Sequence, residues 1–171
     1  NPEVWSYLLD SVRCGGEECD LDGIRLDCAG DLSVEFMQEL GRLANEIKPE
    51  VWRRGEVIHG EYARWVNPQM LHSVTNYEMH KSIYSAHNDH NYFELAHNVR
   101  RLEAVGRDLY TFVDNHDEDR IASKLLNPAQ LAPLYTLLLT LPGIPPLYNG
   151  SERGIPGLSG HNPAPVPRLS S

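Results

Sequence analysis

Strand-like segments alternate with amphipathic helical segments along most of this chain, and this order restricts the possible folds more than any other feature. Apolar residues recur at every second position in the strand-like segments and at every third or fourth position in the helical ones. Such alternation is typical of right-handed β-α-β units that build a parallel sheet. The sequence therefore predicts an α/β fold with parallel strands near residues 24–29, 54–58, 73–76, 109–114 and 144–148.

Boundary signals frame the first two helices. Asn1 is a good helix cap, and the pair Gly15 and Gly16 predicts a weakening or the end of the first helix. Ser33 precedes a second amphipathic stretch, which we expect Pro49 to stop.

The last part of the chain differs in composition from the rest. From Gly154 onward it is rich in Pro, Gly and Ser, which is typical of a loop or of disorder. We therefore predict that residues 1–153 form the folded part and residues 154–171 a tail or loop.

Composition excludes some classes of partner. The chain has 171 residues and a net charge of −9, which argues against nucleic acid and anionic membranes as partners. The three cysteines, Cys14, Cys19 and Cys28, are odd in number and lack zinc-site spacing, so we predict buried free thiols. Without a signal peptide these features favour a cytoplasmic location, although a chain that begins with Asn1 rather than Met leaves room for residues upstream.

Polar clusters follow each strand-like segment. They read "RLD", "GEVIHG", "TNYE", "DNHDEDR" and "YNGSE". Ligands of parallel α/β folds bind at the carboxyl ends of the strands, so these clusters predict a site. Three of them contain a carboxylate at the expected place, at Asp27, Glu56 and Asp117. A single Asp at such a position is more often a turn or a helix cap, and Glu61 competes with Glu56.

Four of these segments together resemble one family. "DGIRLDCA", "RGEVIHGE", "FVDNHDEDR" and "LPGIPPLYNGSERGI" are similar, in this order, to motifs of the alpha-amylase superfamily of glycoside hydrolases, and other segments resemble its neopullulanase and maltodextrin-active members. The resemblance implies a partial (β/α)8 TIM barrel, roughly strands 4 to 8, because the motifs of the first three strands are absent.

The resemblance also implies roles for single residues. Asp27 matches the nucleophile, Glu56 the general acid/base and Asp117 the carboxylate that stabilises the transition state. The matching substrate-binding positions are Arg25, His116, Asn115, His59 and Arg120. The implied activity is retaining hydrolysis of alpha-glucans of the maltodextrin, starch or cyclodextrin type. Hydrolysis and transglycosylation, and the preferred linkage and chain length, stay open.

Alternatives follow from the missing strands. A partial barrel leaves unpaired strand edges, so we expect a fragment of a longer protein, self-association or a complementing half-barrel chain. The truncated chain is then either inactive by itself or a non-catalytic carbohydrate-binding or scaffold fragment. A nucleotide site is disfavoured, because "CAGDLS" is not a glycine-rich phosphate loop. The sequence has no calcium-loop spacing, so we assign no metal and no cofactor.

Overall fold

The computed structural model describes residues 1–159; the rest of the predicted tail lies outside the described residues. The chain divides into two compact units, Asn1–Thr75 and a second that begins at Asn76. In residues 1–159 none of the helices combines the length and the apolar character that crossing a bilayer requires.

The first unit is a three-stranded parallel sheet with two helices. Its elements are α1 (Pro2–Cys19), β1 (Gly23–Leu26), α2 (Val34–Ile47), β2 (Trp52–Gly55) and β3 (Ser73–Val74). The strand order is β1-β2-β3, and both neighbouring pairs are parallel. The predicted α/β class and parallel sheet are therefore confirmed.

Strand β2 lies slightly earlier in the chain than predicted. It ends at Gly55, so Glu56 follows the strand rather than lying inside it. The backbone N–H of Val57 donates to the hydroxyl of Thr75 at 2.9 Å. A side-chain oxygen thus takes the place of the next partner in the sheet, and the strand stops there.

Helix α1 begins after Asn1 as predicted, and it passes through Gly15 and Gly16 instead of ending there. The helix continues to Cys19 because these glycines serve close packing. A Cβ at Gly15 would lie 2.6 Å from a methyl carbon of Leu21, and one at Gly16 would lie 2.5 Å from a methyl carbon of Ile47. The second helix agrees with the prediction, with its cap at Ser33 and its end at Ile47.

The second unit is mainly helical. Its helices are α3 (Tyr77–Asp89), α4 (Phe93–Arg101), α5 (Ile121–Lys124) and α6 (Leu131–Thr140). Phe112, Leu134 and Leu138 are almost completely buried in its core.

In place of the two strands predicted in the second unit, the structure has an isolated β-bridge. Tyr110 pairs in parallel with Ile144, and the backbone N–H of Thr111 donates to the carbonyl of Ile144. Pro145 and Pro146 follow directly and have no N–H to donate, so the ladder cannot extend further. The predicted strands over 109–114 and 144–148 are therefore too long.

Candidate active site

Asp27 and Glu56 lie close together in the first unit because their strands end at the same level. Leu26 is the register partner of Gly55, and the next backbone N–H, that of Glu56, donates to the carbonyl of Leu26 at 2.8 Å. A carboxylate oxygen of Asp27 and one of Glu56 lie within 4.8 Å of each other. The parallel register thus places two predicted site residues side by side.

Arg25 connects the two carboxylates. Its Nη1 lies 2.5 Å from Oδ1 of Asp27, and its Nη2 lies 3.4 Å from Oε2 of Glu56. Arg25 lies in β1, and Asp27 follows in a turn, because the strand ends at Leu26 rather than at the predicted residue 29. The charged pair in "DGIRLD" therefore faces a second carboxylate rather than an apolar core.

The two carboxylates have different surroundings. Glu56 is 8% exposed, whereas the side chain of Asp27 is 73% exposed. The backbone N–H of Cys28 donates to Oε2 of Glu56 at 3.1 Å. Sequence reasoning missed this contact, because a main-chain donor leaves no side-chain signature.

The three cysteines are free, as predicted, but they are exposed rather than buried. Cys28 also completes a set of three possible metal ligands. One ligand atom each of Asp27, Cys28 and Glu56 lies within 4.8 Å of the others. The positive charge between the two carboxylates is already supplied by Arg25, and the charge of Asp27 raises the pKa of the Cys28 thiol. A thiol ligand must lose its proton to bind a metal, so the donor set fits a metal poorly.

A cleft of about 430 Å³ opens beside Glu56. His59, a predicted substrate-binding residue, lines it, and so does the buried ring of Trp65. The full lining is Cys28, Gly30, Asp31, Glu56, Ile58, His59, Arg64 and Trp65. Glu61, the rival of Glu56, is not among these residues.

In the second unit a tight turn carries Asn115, His116 and Asp117. The Oδ1 atom of Asn115 accepts hydrogen bonds from the backbone N–H of Asp117 at 2.9 Å and of Glu118 at 2.8 Å. The side chains of His116 and Asp117 are 59% and 50% exposed, and Nε2 of His116 lies 3.1 Å from Oδ2 of Asp117. The turn therefore presents both side chains at the surface of this unit.

Arg120 is buried. Its Nη1 donates to the carbonyl of Asn149 at 2.6 Å and to the hydroxyl of Ser151 at 3.2 Å, and its guanidinium lies 4.3 Å from the ring centroid of Tyr148. The backbone N–H of Arg120 donates to the carbonyl of Gly157, so the beginning of the predicted tail is held by hydrogen bonds. The substrate-binding role of Arg120 stays a prediction.

Comparisons with known proteins place these motifs in one family. The family model described as "Alpha amylase, catalytic domain" matches residues 1–165. A maltogenic alpha-amylase of Bacillus acidopullulyticus is 32% identical over 165 residues, and a cyclomaltodextrinase of Thermoanaerobacter pseudethanolicus is 28% identical over 167 residues. Each alignment covers 92% of this chain, but the chain spans only 28% and 29% of the lengths of these relatives.

Solved structures agree in fold. An Anoxybacillus alpha-amylase matches with a TM-score of 0.79 at 28% identity, and a cyclic alpha-maltosyl-(1→6)-maltose hydrolase of Arthrobacter globiformis, bound to maltose, matches with 0.84 at 24% identity. Both matches cover 94% of this chain and 38% of the other chain. The prediction of a partial (β/α)8 barrel is confirmed. This chain belongs to the alpha-amylase catalytic-domain family.

Proposed function

We propose that this chain carries the catalytic carboxylates of a retaining glycoside hydrolase that acts on alpha-glucans of the maltodextrin, starch or cyclodextrin type. The observation that carries the proposal is the separation of Asp27 and Glu56, whose ligand oxygens lie within 4.8 Å. Retaining enzymes hold their two carboxyl groups about 5 Å apart, whereas inverting enzymes leave room for a water molecule between carboxylate and sugar. The named activities of the maltogenic and cyclomaltodextrin-active relatives support the substrate class.

In this proposal Glu56 gives its proton to the glycosidic oxygen while Asp27 attacks the anomeric carbon. The bond from that carbon to the leaving group breaks, and an ester to Asp27 forms. Water, deprotonated by Glu56, then cleaves the ester with a second inversion, so the product keeps the α configuration. Glu56 is buried and lines the cleft, and Arg25 lies closer to Asp27 than to Glu56.

The motif assigns the remaining roles. We propose Asp117 as the carboxylate that stabilises the transition state, on a turn that leaves its side chain accessible. The proposed substrate contacts are Arg25, His59, Asn115, His116 and Arg120. Transfer to a second sugar instead of to water would use the same groups.

The first unit also has an open edge, for which we propose a partner. Strand β1 lies at the edge of the sheet, and α1 contains no buried residue. Val4, Tyr7 and Leu8 of α1 are 51%, 73% and 41% exposed. A parallel strand followed by a helix, of the kind that precedes this segment in a complete barrel, would pair with β1 and cover these side chains.

The test supplies the missing strands. In a chimera, residues 1–165 replace the matching segment of the Bacillus acidopullulyticus enzyme, and reducing ends released from maltooligosaccharides and cyclodextrins are measured. We expect turnover with an α-configured product by NMR, its loss in Asp27→Asn, and a decrease of about 10²- to 10⁴-fold in Glu56→Gln. Asp89→Asn, at an exposed acid of α3, is the matched control. A folded chimera that turns over none of these glucans would contradict the proposal.

Two further measurements address the alternative of a non-catalytic fragment. Mass in solution is measured for the unmodified chain, together with its binding of maltooligosaccharides. A folded chimera that binds these sugars without cleaving them would favour a carbohydrate-binding fragment. A defined oligomer of the unmodified chain with turnover would show that a second copy, rather than another strand and helix, completes the site.

A further inference from the structure

Glu118, the residue after Asp117, lies close to two side chains inside the second unit. Its Oε2 accepts a hydrogen bond from Nζ of Lys124 at 2.6 Å and lies 3.5 Å from Nε2 of His80. Lys124 is itself 3.2 Å from the same His80 nitrogen. The motif assigns no role to Lys124 or His80, and the proposed reaction does not use them.

His80 is fixed by aromatic packing. Its ring stacks on Phe112 with centroids 4.9 Å apart and planes inclined by 12°, and it meets Tyr77 and Tyr84 edge to face. It is only 3% exposed. Burial, and then the charge of Lys124, lower its pKa to about 4, so the ring is neutral at neutral pH. A neutral ring can accept a hydrogen bond from the Lys124 ammonium group through Nε2.

Lys124 is fixed at its main chain as well. It is the last residue of α5, and its carbonyl accepts a hydrogen bond from the side-chain amide of Asn88 at 2.9 Å. The Oδ1 atom of Asn88 accepts from the backbone N–H of Leu126 at 2.9 Å. Its ammonium group lies 4.7 Å from the ring centroid of Tyr84. The side chain is 15% exposed, so little conformational freedom remains to be lost when it binds Glu118.

The turn that carries Asp117 is therefore held at both sides. On one side Asn115 binds the backbone of the turn and donates to the hydroxyl of Tyr77 at 3.4 Å. On the other side Glu118 is held by Lys124 at 2.6 Å. The side chain of Asp117 is 50% exposed, and its ion-pair partner is the equally accessible His116, so burial alone does not fix its direction.

We infer that Lys124 is a positioning residue: it donates both to Glu118 and to the neutral ring of His80, and by holding Glu118 in this way it fixes the direction of the Asp117 carboxylate. The inference rests on the proposed function for its catalytic meaning, since it deepens the role given there to Asp117. The physical reason is that removing one partner of a partly buried ion pair leaves the other charge without compensation, whereas solvent screens the charges of an exposed pair and side-chain entropy opposes the pairing.

The chain offers a matched control. Lys81 Nζ lies 2.6 Å from Oε1 of Glu94, the same distance as in the pair of Lys124 and Glu118. The side chains of Lys81 and Glu94 are 57% and 45% exposed, so this pair lies at the surface between α3 and α4. Lys81→Met therefore removes an equivalent lysine pair without loosening the turn.

The test uses the full chain and needs no activity. In Lys124→Met we expect the His80 pKa, followed by NMR, to rise from about 4 toward its ordinary value, because a positive neighbour is lost. We expect backbone amide exchange at Asp117 to become about tenfold faster. Lys124→Arg should restore slow exchange, and Lys81→Met should change neither quantity. Unchanged exchange at Asp117 in folded Lys124→Met would overturn the inference.

A second variant and a kinetic measurement complete the test. If Lys124→Met does not fold, Glu118→Gln removes the anion and keeps the size, and it should accelerate exchange at Asp117 in the same way; if exchange is unchanged, the inference is wrong. In the chimera, Lys124→Met should lower kcat by about 10- to 100-fold with little change in KM. If Lys124→Met accelerates exchange at Asp117 while the unmodified chimera cleaves no glucan, the positioning role of Lys124 holds and the proposed function is wrong.

Discussion

Arg25 Nη1 and Asp27 Oδ1 lie 2.5 Å apart, and the other terminal nitrogen of the same guanidinium reaches Glu56 at 3.4 Å. One fork thus contacts both carboxylates. A lysine offers a single ammonium group and cannot reproduce this geometry.

Arg25→Lys should therefore lower turnover by the chimera about 100-fold, because Asp27 and Glu56 lose the guanidinium that holds both of them in position. The control is Arg13→Lys, at an exposed pair with Glu17 on α1. Initial rates on a maltooligosaccharide decide the matter. Equal rates for the two variants would show that the fork has no part in catalysis.

Gly55 is the last residue of β2 and lies in close contact with its neighbours, so it determines the position of Glu56, which follows it. A Cβ there would lie 2.5 Å from a methyl carbon of Leu71 and 2.8 Å from Cβ of Ala29. We expect Gly55→Ala to cost about 1–3 kcal/mol of unfolding free energy and to displace Glu56. Gly30→Ala is the control, since the nearest atom to its Cβ is 3.9 Å away. Urea unfolding that did not separate these two variants would refute the steric argument.

Arg53 is a buried cation held by neutral partners. It is 1% exposed and donates to Oδ1 of Asn45 and to the carbonyl of Met70, both at 2.8 Å, and its Nη2 lies 3.1 Å from Nε2 of His72. Arg53→Met takes the donor from the carbonyl of the buried Met70, whereas Asn45 is exposed and can bind solvent instead, so we predict a loss of about 1–3 kcal/mol in urea unfolding. Arg42→Met, at an exposed residue of α2, should cost less than about 1 kcal/mol. Equal losses would contradict this account.

The stability of the second unit should fall in mild acid. Burial and the Lys124 charge lower the pKa of His80 to about 4 from an ordinary 6.5, so its contribution is complete above pH 6.5 and is lost as the pH falls toward 4. The loss reaches up to about 3 kcal/mol. Asp114 acts in the opposite direction, because burial raises its pKa.

Thermal unfolding between pH 7 and pH 4 measures this effect. His80→Gln should flatten the pH profile of the second unit. His97→Gln, at an exposed histidine of α4, should leave the profile as it is. If the profile of His80→Gln kept its full slope, another group would be responsible.

The sequence predicted the α/β class and the cap at Ser33, because the period of apolar residues and a capping residue are local signals. It placed the ends of β1 and β2 at residues 29 and 58, whereas the strands end at Leu26 and Gly55. It did not predict that α1 continues through Gly15 and Gly16. Local propensity favours a helix end at a glycine pair, whereas packing against Leu21 and Ile47 decides the outcome.

For the candidate site, sequence reasoning identified the charged groups but not what holds them. Arg25, Asp27 and Glu56 stand in short motifs. The main-chain donor at Cys28 leaves no trace in composition or period. The contact of Lys124 with Glu118 and His80 joins α5 to α3 across 44 positions of sequence, and no local pattern encodes such a pair. The roles of Arg25, Asp27 and Glu56 remain predictions, as do those of His59, Asn115, His116, Asp117 and Arg120.

The central claim is that Asp27 forms a covalent bond with the sugar. The most direct measurement treats the chimera with an activated fluorosugar of α-glucosyl configuration and determines, by intact mass and peptide mapping, which residue gains a glycosyl ester. We predict one ester, on Asp27, which accumulates because the fluorine slows its hydrolysis, and none in Asp27→Asn. An ester on another residue, or no ester on a chimera that does hydrolyse maltooligosaccharides, would contradict the account.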